Sequence, residues 1–178
     1  MNGGGGIDFA AYQQSDAAVT VSLATMSGVG GDADGDSFDG IEGLIGSSFA
    51  DTLTGDTGAN TIEGGAAGDL LDGGDGLDTL SYDGPNTRVV VDLLNGNALL
   101  GHAEGDVISG FENLSGSGLP DYLLGSNDAN ILSGGRGVDR LDGRGGDDTL
   151  IGGAQDDNLK GGLGADVFVL RVGDGYDR

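Results

Sequence analysis

The chain has 178 residues, 40 of them glycine, with 5% aromatics and neither tryptophan nor cysteine. That is too few bulky residues for an ordinary globular core of this length, and without cysteine there can be no disulfide, thiolate zinc site or cysteine nucleophile. Thirty acids against seven bases leave a formal charge of −23, which argues against nucleic acid as a partner and opposes any compact fold unless cations intervene.

One nonapeptide, GGGGIDFAA, opens at Gly3. An insert from Tyr12 to Asp36 follows, in which Val19, Val21 and Leu23 alternate as in a half-buried strand. From Ser37 to Ser81 the chain counts in nines. Sixth positions are Glu42, Asp51, Asn60, Asp69 and Asp78; eighth positions are Leu44, Leu53, Ile62, Leu71 and Leu80. A second insert of the same length, Tyr82 to Asp106, repeats the alternation at Val89, Val91 and Leu93. The nines then resume from Val107 to Val169, with Glu112, Asp121, Asn130, Asp139, Asp148, Asp157 and Asp166 at the sixth position. Leu114, Leu123, Leu132, Leu141, Leu150, Leu159 and Phe168 hold the eighth. The tail carries larger apolar residues, Phe168, Val169, Leu170, Val172 and Tyr176, and is expected to cover the last open strand in part.

Residues 3–65 align with 73–135 without a gap, and the identities extend beyond glycine to Asp8 and Asp78, Tyr12 and Tyr82, Asp36 and Asp106, and Glu42 and Glu112. The expected organisation is one continuous solenoid. It comprises a repeat unit 3–72 with insert 12–36, a second unit 73–142 with insert 82–106, and terminal nonapeptides with a partial cap over 143–178. Each unit adds one inward apolar side chain per repeat to a thin ladder, so stacking replaces a globular core. Each insert reads as a widened coil, with an independent hairpin as the alternative, because alternation does not say which strand pairs with which. Met1–Asn2 directly before a repeat, and the stop at Arg178, read as cuts in a longer parent chain. No apolar run approaches the roughly 18 residues of a membrane span, and no basic-then-apolar leader opens the chain.

The fullest copies, GGRGVDRLD from Gly134 and GGLGADVFV from Gly161, spell Gly-Gly-x-Gly-x-Asp followed by an inward apolar residue. Over nearly its whole length the chain resembles the haemolysin-type calcium-binding (RTX) modules of secreted bacterial proteins. The resemblance implies an all-β fold, a parallel β-roll or right-handed β-solenoid, in which six residues turn and three form a strand. The aspartate of one repeat then lies above that of the repeat two places on. Glycines at positions one, two and four are expected to permit positive φ and let carbonyls converge.

A carboxylate from each of two stacked turns, with several carbonyls, makes an all-oxygen cage that suits Ca²⁺ better than Mg²⁺ or zinc. The strongest sites expected join Asp139 to Asp157 and Asp148 to Asp166, with Gly135, Gly137, Gly146, Gly153, Gly162 and Gly164 as carbonyl donors. Weaker ones are expected at Asp121 with Asp139, Asp51 with Asp69, Asn60 with Asp78, and Asn130 with Asp148. Phe49 and Leu119 replace the position-four glycine in two of these turns, and Asn60 and Asn130 supply a neutral oxygen. Asp36 and Asp106 read as the turns that end the inserts, with a further ligand at the exit of each insert as the alternative, and Tyr12 and Tyr82 read as packing aromatics.

Nothing in the chain supplies catalysis: its one histidine, His102, aligns with Asp32 in the duplicate, and no nucleophile–base set is recognisable. The expected function is a calcium-dependent folding module, unfolded in the cell and folded after export. The resemblance implies type I secretion, an extracellular or cell-surface location, and a structural or secretion-assisting role in a larger protein. A carbohydrate- or surface-binding module, as in adhesins or alginate epimerases, is the alternative. A catalytic domain elsewhere in the parent lies outside what these residues address.

Overall fold

The computed structural model describes residues 1–83, 87–171 and 173–178. Within them run β1 (Phe9–Ala11), β2 (Thr20–Ser22), β3 (Ser27–Val29), β4 (Gly43–Ile45), β5 (Thr52–Thr54), β6 (Thr61–Glu63), β7 (Leu70–Asp72), β8 (Thr79–Ser81) and β9 (Val90–Asp92). There follow β10 (Asn97–Leu99), β11 (Val107–Ser109), β12 (Asn113–Ser115), β13 (Tyr122–Leu124), β14 (Ile131–Arg136), β15 (Arg140–Gly145), β16 (Thr149–Ala154), β17 (Asn158–Leu163) and β18 (Val167–Val169). The only helical turns among the described residues are short 3₁₀ segments at Gly31–Ala33 and Gly101–Ala103. The chain divides into two compact units, Met1–Leu80 with Gly105–Phe111 and Ser81–Glu104 with Glu112–Arg178.

In the first unit, β1, β4, β6 and β8 pair in parallel, with Ala10 on Leu44, Leu44 on Ile62 and Ile62 on Leu80. The facing sheet orders β11, β7, β5 and β2 in parallel, stacking Ile108, Leu71, Leu53 and Val21. A three-residue strand turns its middle side chain inward and its neighbours outward, so the eighth positions meet between the sheets. Leu44, Leu53, Ile62, Leu71 and Leu80 are all fully buried.

The second unit repeats the plan. One sheet stacks β12, β14, β16 and β18, the other β9, β13, β15 and β17. Leu114, Leu123, Leu132, Leu141 and Leu150 are buried, but Phe168 in the last strand is 46% exposed. Each unit is thus a parallel β-roll whose core is two facing ladders of single side chains.

The inserts combine both expectations. Val21 joins the roll on Leu53 and Val91 on Leu123. The chain then doubles back antiparallel, β3 on β2 and β10 on β9. Each insert is therefore one coil of the roll lengthened by an antiparallel return strand. Tyr12 and Tyr82 are buried at the insert entries, and the Tyr12 hydroxyl donates to Asp36 Oδ2 at 2.8 Å.

The tail meets the last coil through its backbone. Leu170 and Tyr176 are exposed, and Val172 lies outside the described residues. Gly173 and Gly175 take positive φ of 102° and 120°, forming one more turn that ends in Asp177. The Leu159 amide donates to the Arg178 carbonyl and the Arg178 amide to that of Asp157, so the tail pairs with β17 while the Leu170 and Tyr176 side chains stay exposed.

Candidate metal centres

A ladder runs through the sixth positions. The backbone amide of one sixth-position residue donates to Oδ1 of that one coil on: Asp51 to Asp69 at 2.8 Å, Asn60 to Asp78 at 2.7 Å, Asp121 to Asp139 at 2.8 Å. The same bond joins Asn130 to Asp148, Asp139 to Asp157 and Asp148 to Asp166. The pairs expected from the spacing are therefore brought together. Asp8 likewise donates to Glu42 Oε2 at 3.0 Å. One oxygen of each ladder carboxylate is thereby engaged, and the fate of the other separates two kinds of turn.

In the open kind, positions two and four both take positive φ. Gly4 and Gly6 do so before Asp8, Gly65 and Ala67 before Asp69, Gly74 and Gly76 before Asp78, Gly135 and Gly137 before Asp139, Arg144 and Gly146 before Asp148, Gly153 and Gln155 before Asp157, and Gly162 and Gly164 before Asp166. Oδ2 of Asp8, Asp69, Asp139, Asp148 and Asp157 is buried in these turns with no hydrogen-bond partner. A carboxylate oxygen removed from water without a partner is costly, and five at equivalent places call for a common occupant.

In the closed kind, the turn answers its own carboxylate. The Ser117 amide donates to Asp121 Oδ2 at 2.6 Å and its hydroxyl to Oδ1 at 3.1 Å; Ser47 treats Asp51 the same way. Asn60 Oδ1 accepts the Asp56 amide at 2.7 Å, and Asn130 Oδ1 the Ser126 amide at 2.6 Å. The Asp51 and Asp121 carboxylates also cap the inserts, accepting the amides of Val19 and Val89.

Carbonyls face along the stack of open turns. A methyl group added at Gly153 would lie 2.0 Å from the Gly135 oxygen, and one at Gly162 2.1 Å from the Arg144 oxygen. A Cβ at Gly153 or Gly162 would therefore collide with the carbonyl of the turn stacked against it, whereas Arg144 carries one at the same position of its own open turn. Strand pairing continues into the turn only where open turns stack, as Gly135 on Gly153 and Arg144 on Gly162, which is why β14 to β17 each span six residues. Position one is glycine for another reason than the expected positive φ. Asp139 Oδ2 sits 2.4 Å from where a Gly134 methyl would be, and Asp157 Oδ2 2.3 Å from one at Gly152, so the carboxylate lies flat on the glycine.

Burial pushes the carboxyls of Asp69 and Asp139 up to about 7, against the pull of their backbone hydrogen bonds. Burial also raises Asp121, Asp148 and Asp157, and neighbouring acids add to the last two. Within each unit the stacked turns thus hold desolvated acids that a cation would relieve. Among the described residues no three acidic or histidine side chains converge; the oxygens beside each pair of carboxylates include main-chain carbonyls of the stacked turns, such as that of Gly135. Such a hard, irregular oxygen set fits Ca²⁺ rather than zinc, which takes nitrogen and sulfur, or Mg²⁺, which demands a tight octahedron.

Three features go beyond the period of nine. Asp106, for which the spacing left a turn or a further ligand open, is buried, and its Oδ1 accepts the Asp69 amide at 2.9 Å; it is the ladder residue above Asp69. Asp36, its counterpart, instead holds Tyr12. Asp177 accepts the Asp157 amide at 3.0 Å from a Gly-x-Gly-x-Asp turn out of step with the nines, legible in GDGYD once the period is relaxed. Arg144 and Gln155 take the left-handed backbone of open turns without being glycine, with φ of 71° and 87°, and only their place in the period marks them.

The RTX calcium-binding nonapeptide repeat (4 copies) is the family model that matches, at residues 45–80, 108–141, 115–150, 133–168 and 142–177, together more than half of the chain. No curated protein matches it.

Proposed function

Because the chain belongs to the family of RTX calcium-binding nonapeptide repeats, we propose that its open turns hold the ions and that calcium completes the fold outside the cell. There it would serve as a structural, secretion-assisting module of a larger secreted bacterial protein. The observation that carries this reading is the set of buried, partnerless Oδ2 atoms at Asp69, Asp139, Asp148 and Asp157. Calcium supplies the positive charge that these oxygens lack. Asp139 with Asp157, Asp148 with Asp166, and Asp157 with Asp177 would hold it, helped by carbonyls such as those of Gly135 and Gly146.

Where calcium is scarce, uncompensated carboxylates oppose stacking. Where it is plentiful, binding to the folded chain alone pulls the equilibrium over, and extracellular calcium modules bind at roughly 10⁻⁴ to 10⁻³ M. The repeat itself is a calcium-binding module and not a catalytic one. Circular dichroism during a calcium titration tests the reading. A β signal that rises cooperatively with calcium is expected; a signal in EDTA equal to that in calcium overturns it.

A further inference from the structure

The two kinds of turn differ consistently at position two. In each closed turn the position-two side chain accepts the position-four amide: Ser47 from Phe49 at 3.1 Å, Asp56 from Gly58 at 2.7 Å, Ser117 from Leu119 at 3.1 Å, Ser126 from Asp128 at 3.1 Å. This local bond, to which Ser and Asp are suited, avoids the positive φ that the open turns take at positions two and four. It also aims the position-two amide at the sixth-position oxygen, which it satisfies. Open turns carry Gly4, Gly65, Gly74, Gly135, Arg144, Gly153 or Gly162 at position two, and neither glycine nor arginine offers a side-chain acceptor for that bond.

We propose that the position-two residue, not the position-six carboxylate, decides whether a turn takes calcium, and that Ser47, Asp56, Ser117 and Ser126 close their turns to the ion. The proposal rests on the reading of open turns as calcium sites. An amide donates to the oxygen that a cation would otherwise hold, so amide and ion compete for one atom and the built-in donor wins without leaving the protein. Asp51 and Asp121 show this most clearly. They are buried acids of the same rank as Asp139, yet each accepts three protein donors, including an insert amide. Two successive closed turns come one repeat after each insert, at 46–51 and 55–60 and at 116–121 and 125–130. Each unit therefore holds a metal-free pair of turns on which calcium-requiring turns can stack.

Two measurements on the whole chain test this. Hydrogen exchange of the wild type in EDTA should leave the amides of Val19, Ser47, Val89 and Ser117 protected relative to those of Asp139 and Asp148; equal rates overturn the proposal. Opening one turn with Ser117→Gly and Leu119→Gly together should raise the calcium bound per chain by one in native mass spectrometry, beside Asp121 and Asp139. It should also make Val89 protection calcium-dependent. An unchanged count with Val89 still protected in EDTA overturns it, as does loss of Val89 protection in both conditions without an added ion. Asp139→Ala separates the two readings, because a variant that loses no calcium removes the assignment of open turns as sites, whatever position two does.

Discussion

Arg144 holds Asp92 with both terminal nitrogens, at 2.6 and 2.7 Å, across 52 residues of sequence. The same guanidinium donates to the Gly125 carbonyl at 2.9 Å, while the Arg144 backbone sits at a φ of 71° with its own carbonyl facing Gly162. The pair ties the strand of the second insert to an open turn and offsets the left-handed backbone of a non-glycine residue.

Asp92→Ala removes the clamp and leaves the strain, and should cost about 1 kcal/mol, in keeping with a partly exposed ion pair. Arg144→Gly removes both, and glycine recovers about the same amount at positive φ, so its net cost should be close to zero. Urea unfolding at saturating calcium compares the two; equal losses would show that the clamp does not offset backbone strain.

Asp157→Ala and Asp51→Ala should fail in different ways. Asp157 lies between open turns, so its loss should raise the calcium midpoint several-fold. Asp51 is held by protein donors, and its removal strands the amides of Val19 and Ser47 at about 1–3 kcal/mol each. Its loss should lower stability at saturating calcium more than it moves the midpoint. A larger midpoint shift for Asp51→Ala would reverse the assignment.

The raised carboxyls set a pH dependence with opposite signs in the two states. Asp69 and Asp139 rise from 3.8 to about 7 in the fold, so without calcium protonation favours the folded chain. That contribution is complete below the unfolded value and is lost as pH rises through about 7. Calcium binds only the ionised form, so its midpoint should climb as pH falls below about 7. Titrations at about pH 8 and about pH 6 check this, and a midpoint indifferent to pH would show that these carboxyls are not displaced by the ion.

Gly153→Ala should be among the most damaging single methyl additions. Its Cβ would lie 2.0 Å from the Gly135 oxygen at a φ of 104°, adding overlap to strain that together cost several kcal/mol by order of magnitude. A melting temperature in calcium within a degree or two of wild type, on the scale of ordinary surface changes, would show that stacked turns need no bare α-carbon there.

The period of nine was enough to place the strands, the inward leucines and the ladder aspartates, because a repeat that buries one side chain per strand has no other way to hide Leu53, Leu71, Leu123 and Leu141. It also marked the stacked pairs, since parallel strands two repeats apart set a fixed rise between Asp139 and Asp157. Partners outside the period had to wait for the tertiary structure. Asp106 reaches the Asp69 amide, and Arg144 reaches Asp92, only once the inserts have folded their return strands into the roll. Which carboxylates keep a bare oxygen was likewise decided in three dimensions. Asp121 and Asp139 occupy the same position of the repeat, yet Ser117 gives the first an amide and a hydroxyl while Gly135, turned to positive φ, leaves Oδ2 of the second alone. Spacing fixes where a side chain stands along a stack, but hydrogen-bond satisfaction depends on the direction in which each neighbouring amide points, and that is set by the folded backbone.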